Sequence, residues 1–132
     1  MTSAFVRVDK DSSRAAIFQL LIEQGIPFID VGMSLQRERG ALDGMLRTTY
    51  FPLGEAAAVR DKQWAELHDA TDDLYRTNIQ IGELNALNAC LAVIRFKQLR
   101  GFFTETSPMY NTLFEIGNVH IIGATLKDDV AA

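Results

Sequence analysis

The chain has 132 residues, 13 basic and 17 acidic side chains and a net charge of -4, a balance that gives no overall attraction to nucleic acid or to an anionic membrane. At 48% hydrophobic and 23% charged it is too apolar for disorder, and its length predicts one domain, 1–132. One cysteine excludes an internal disulfide, no basic segment leads into an apolar one at the start, and no apolar run approaches the roughly 20 residues of a membrane span; a cytoplasmic protein is expected.

Ala4 to Val8 predicts a short buried strand. Ser12 or Ser13 can cap the next helix, whose apolar positions Ile17, Phe18, Leu20, Leu21 and Ile22 lead to a stop at Gly25 and Pro27. Phe28 to Met33 gives a second strand, so the segment is a strand, helix, strand unit long enough for a parallel crossover. A polar turn from Ser34 to Gly40 precedes strand character at Met45 to Phe51, an antiparallel edge closed by Pro52 and Gly54. Glu55 to Asp69 predicts a helix and Asp69 to Asp73 an acidic break. The longest helix runs from about Asp73 to Arg100, with Leu84, Leu87, Leu91 and Ile94 as its apolar stripe and Gly101 as its end. Met109 to Glu115 and Val119 to Ala124 predict a terminal hairpin around Ile116-Gly117-Asn118, with Gly117 taking a positive φ.

Two stretches carry a family likeness. Val8-Asp9-Lys10-Asp11-Ser12-Ser13-Arg14, followed by Gly25-Ile26-Pro27-Phe28-Ile29, resembles the ThiF, MoeB and HesA adenylyltransferases, in which a strand ends in Asp-Asn-x-x-x-Arg and the next opens on a Gly-Ile-Pro-like turn. Ile79 to Ala89 is similar to that family's helix after the crossover loop. The resemblance covers Ala4 to Gly101 and implies the C-terminal half of a doubly wound, Rossmann-like α/β sheet with an antiparallel edge, a long helix and a terminal hairpin. It also implies ATP and magnesium as cofactors, a ubiquitin-like or sulfur-carrier protein as partner, and a homodimer. By resemblance Asp9 holds the magnesium, and Arg14 orients Asp9; the alternatives are a helix cap or loop ion pair for Asp9 and a solvated helix charge for Arg14. Asn78, Asn85 and Asn88, within one arc of the long helix, are candidates to bind the acceptor's extended tail through their amides, or else form a solvated face.

Departures from the pattern matter equally. Lys10 stands where the family has asparagine, and no Gly-x-Gly-x-x-Gly loop occurs in the sequence, so the phosphate cradle is lacking and the chain is expected to be a fragment or a shortened protein. The Cys-x-x-Cys pairs that bind zinc in many relatives are absent, and no zinc site is expected with His68 and His120 far apart in sequence. Cys90 reads as a small core residue. Glu83 falls on the apolar side of its helix, where it needs a route to water or a partner such as Arg95 or Arg47. Arg37, Arg39 and Arg47 read as a loose, solvated basic cluster or a carboxylate-binding surface. The expected function is part of an ATP-dependent adenylyltransferase that activates a protein's C-terminal carboxylate, inactive alone; the alternative is a non-catalytic dimerisation or acceptor-binding module.

Overall fold

Among the described residues five strands form one mixed sheet in sequence order, and only its first pair is parallel. The structure is a computed structural model that describes residues 2–8, 11–68 and 81–126, apart from the side chains of Asp11, Leu67 and His68. Strand β1 (Ala4–Val6) leads through helix α1 (Asp11–Glu23) to the parallel strand β2 (Phe28–Glu38). Ser12 and Ser13 therefore lie in the first turn of α1 and not at its cap. The helix ends as expected at Gly25, whose φ of 66° lets Gly25 N donate to Ile22 O and Ile26 N to Leu21 O, at 3.2 and 3.0 Å.

Antiparallel strand β3 (Ala41–Phe51) pairs with β2 along its whole length, from Phe28 opposite Phe51 to Glu38 opposite Ala41. The expected turn from Ser34 to Gly40 is thus only Arg39 and Gly40, both at positive φ as a tight two-residue hairpin needs. The polar run was misleading because this end of the hairpin reaches into solvent, where strand residues need not be apolar. Gly44 permits the close pairing: a Cβ there would lie 1.8 Å from Ser34 O.

Two short helices follow, α2 (Ala56–Asp61) and α3 (Trp64–His68), in place of one helix over Glu55 to Asp69. Gln63, at a φ of 57°, interrupts the helical path between them. The acidic break at Asp69 to Asp73 lies outside the described residues. The long helix α4 (Gly82–Leu99) leads to strands β4 (Asn111–Glu115) and β5 (His120–Ala124), the terminal hairpin. In that turn Val119, not Gly117, has the positive φ. Gly117 instead lies close to Asp43: its N–H donates to Asp43 Oδ1 at 3.1 Å, and an added Cβ would stand 3.1 Å from the same oxygen and press on that side chain.

Alternation along the strands divides the core into two layers. Val6, Phe28 and Phe51 face α1, α2 and α3, where they pack with Phe18, Val59 and Ala65. Phe18, Phe28 and Phe51 form an aromatic triad with centroid separations of 4.3 to 5.1 Å. Ile29, Val31, Met33, Leu35 and Leu46 face α4, meeting Leu84, Leu87, Leu91 and Ala92. Each buried aromatic or aliphatic side chain contributes about 1.5–3 kcal/mol.

Candidate functional site

Parallel strands run out where α1 begins, and there the described residues concentrate buried charge. Arg14, in the second turn of α1, donates from Nη2 to Val8 O at 2.9 Å, and its Nε lies 3.6 Å from Asp30 Oδ2. Asp30 is fully buried in β2, between Val6 of β1 and Thr49 of β3. Arg47, also fully buried, donates from Nη2 to that same Asp30 oxygen and from Nη1 to Thr49 Oγ1 at 2.6 Å. Thr49 Oγ1 in turn donates to Asn111 Oδ1 at 2.7 Å. A carboxylate taken out of water at this depth is tolerable only with such charge-assisted partners.

Arg14, expected to orient Asp9 or to be a solvated helix charge, is buried and meets Asp30 and Val8 O, and Arg47, read as part of a solvated cluster or a carboxylate-binding surface, is interior. Arg37 and Arg39 are indeed exposed at the hairpin tip, whereas Arg47 is interior because its side chain shares the α1 face with Asp30 and Thr49. Asp30 was visible as a lone carboxylate in an apolar strand; Thr49 and Asn111 carried no comparable signal. Asp9 and Asn78 lie outside the described residues.

The other expected residues sit on α4. Asn85 is half-buried and accepts from Arg7 Nη2 at 2.6 Å. Asn88 is only 2% exposed and donates from Nδ2 to Gly32 O at 3.2 Å, while its Oδ1 has no hydrogen-bond partner among the described residues. It therefore lies on the helix's inner face with Ala92 and Arg95, not on an open amide surface. Ile94, expected in the apolar stripe, is exposed, and so are Cys90 and Glu83. Cys90 is therefore not a core residue, and Glu83 in water needs no buried partner. Arg95 instead pairs with Glu105, donates to Met109 O at 2.6 Å, and lies 5.5 Å above the Tyr50 ring.

At the same end of the sheet, next to Thr49 and Asn111 in the chain, two tyrosines have their neutral form favoured. Burial pushes the Tyr50 hydroxyl above its ordinary value; the Arg95 charge opposes this, and Glu105 and Glu55 add to it. Burial also raises Tyr110, helped by its hydrogen bond to Glu55 Oε1 at 3.2 Å and by the charge of Glu55.

Among the described residues no group of three or more His, Cys, Asp or Glu could hold a metal ion, and no helix is long and apolar enough to cross a membrane. Asp30 suits magnesium poorly, because one of its oxygens already carries Arg47 and faces Arg14. No model of a known protein family matches the sequence, and no curated protein matches it.

Proposed function

We propose that the chain is the C-terminal part of an ATP-dependent adenylyltransferase similar to the ThiF, MoeB and HesA family, working with a glycine-rich nucleotide-binding segment that this sequence does not contain. The observation carrying this reading is Arg14, fixed at the carboxyl end of β1 in a parallel β1–α1–β2 unit. Open α/β sheets bind their ligands outside the carboxyl ends of parallel strands. The outer edge of β1 pairs with no strand among the described residues, which leaves room for a neighbouring parallel strand and so for a doubly wound sheet.

In the reaction, a carboxylate oxygen at the C-terminus of a ubiquitin-like or sulfur-carrier protein attacks the α-phosphate of ATP. A bond forms between that oxygen and phosphorus, the bond to pyrophosphate breaks, and an acyl-adenylate results. The guanidinium of Arg14 orients the strand end and contributes positive charge near the developing phosphate charge. Magnesium, with Asp9 as its proposed ligand, supplies charge neutralisation when bound.

The test is pyrophosphate exchange. The chain alone is expected to give none, and the chain joined to a glycine-rich half, with its acceptor, to give exchange that Asp9→Asn lowers strongly and Arg14→Ala lowers less. A folded, reconstituted protein without exchange would refute the reading. A second reading, a non-catalytic homodimerising or acceptor-binding module, is favoured by β5, an edge strand whose Ile121 and Ile122 are exposed on opposite faces. A monomer at high micromolar concentration in sedimentation counts against the homodimer.

A further inference from the structure

On the α1 face a line of buried polar side chains crosses the sheet from β4 to the end of β1. Asn111 accepts from Thr49, Thr49 accepts from Arg47, Arg47 donates to Asp30, Asp30 faces Arg14, and Arg14 donates to Val8 O. Its polarity is set by chemistry: a guanidinium can only donate, so Thr49 must turn its hydrogen toward Asn111.

We propose that Asp30, locked by Arg47, is a positioning residue that aims Arg14 at the carboxyl end of β1, an inference that rests on the adenylyltransferase reading. Asp30 is suited to the task because its strand is paired on both sides at this point, with Val6 and with Thr49. Its carboxylate therefore has little freedom. Arg14 has a long side chain on a surface-packed helix, held by one hydrogen bond to Val8 O, and without a fixed counter-charge beside its Nε it would sample several rotamers. Both guanidiniums approach one oxygen, Asp30 Oδ2, so their mutual repulsion favours the arrangement in which Arg14 presents Nε to Asp30 and extends its Nη2 toward Val8. Packing alone would be served as well by apolar side chains of similar volume. What an apolar set cannot do is hold a guanidinium in one orientation at a strand end.

Two measurements test this. In the chain by itself, labelled with nitrogen-15 and assigned with Arg14→Lys, the Arg14 Nε–Hε resonance is expected to be resolved and slow to exchange. Asp30→Asn should move it toward the position of a solvent-exposed arginine while leaving the Arg95 resonance in place. In the protein reconstituted with its glycine-rich half, Asp30→Asn should lower kcat/KM for exchange by about tenfold or more, the scale expected for a misplaced polar group. The double variant Arg14→Ala/Asp30→Asn should be no slower than Arg14→Ala, since the two act through one side chain. An unmoved Arg14 resonance in folded Asp30→Asn, or additive losses in the double variant, overturns the proposal. Should the wild-type reconstituted protein give no exchange, the adenylyltransferase reading fails, and the resonance measurement by itself decides whether Asp30 positions Arg14. If Asp30→Asn does not fold, Thr49→Val loosens Arg47 from behind, and an unmoved Arg14 resonance there overturns the proposal equally.

Discussion

Arg47 and Arg95 are both buried arginines paired with a carboxylate, on opposite faces of one sheet, and they are embedded differently. Arg47 and Asp30 are both fully buried, project from two paired strands, and are surrounded by further polar groups from β3 and α1. Arg95 projects from α4, and its partner Glu105, in the segment between α4 and β4, keeps a side chain 29% exposed. Both members of the first pair are wholly out of water; the second pair keeps its acidic side in contact with it. The difference teaches that burial of the cation alone does not set the cost of breaking a pair. What matters is whether the group left behind can return to water.

The largest effect should follow from breaking the fully buried pair on one side. Arg47→Met removes the guanidinium bonded to the fully buried Asp30 carboxylate and is expected to cost about 3–5 kcal/mol in urea unfolding at low temperature. Replacing both partners, Asp30→Leu with Arg47→Met, should cost much less than the sum of the single changes. A loss below about 1 kcal/mol for Arg47→Met would mean that water reaches Asp30 and that the contrast with Arg95 does not hold.

A smaller effect is expected on the other face. Arg95→Met removes the contacts to Glu105 and Met109 O, yet Glu105 can turn outward, so about 1–2 kcal/mol is expected by the same measurement. A cost equal to that of Arg47→Met would erase the distinction between the two sites.

The same two arginines show what was legible in the sequence. Strand β2 was recognised from Phe28 to Met33, but its polar outer half was read as a turn, and with it went the register that brings Arg47 toward Asp30. That pairing is a tertiary fact fixed by a two-residue hairpin, and composition does not announce it. In α4 the spacing of the leucines identifies the core-facing stripe, since Leu84, Leu87 and Leu91 do pack on the sheet. The error was to set Asn88 on another face, although it follows Leu84 by four residues and so shares its side. Apolar residues surround this helix, including the exposed Val93 and Ile94, so hydrophobicity alone did not select the buried arc. Asn88 and Arg95 face inward because Gly32 O, Met109 O and Glu105 receive their donors. The parallel β1–α1–β2 unit and the terminal hairpin were readable from their local apolar runs and the stop at Gly25, although the hairpin's positive φ falls on Val119 and not on Gly117.

The smallest effect, and the most selective, concerns the tyrosine beneath Arg95. Tyr50 and Tyr110 both have their ordinary value of 10.0 raised in the folded protein, chiefly by burial. The native state thus holds these protons more tightly than the unfolded chain does, and above about pH 10 the unfolded state binds fewer protons than the native one. Their contribution to stability is complete below that pH and declines as pH rises through 10 toward the native values. Tyr110→Phe should flatten the alkaline decline, although it also removes the bond to Glu55. Arg95 acts on Tyr50 in the opposite direction to burial, so Arg95→Met should raise the Tyr50 midpoint further in an ultraviolet titration of the folded protein, while Arg47→Gln leaves it in place. A Tyr50 midpoint that fell in Arg95→Met would mean that the lost packing had admitted water to the ring, and that the arginine shields the hydroxyl more than it attracts the tyrosinate.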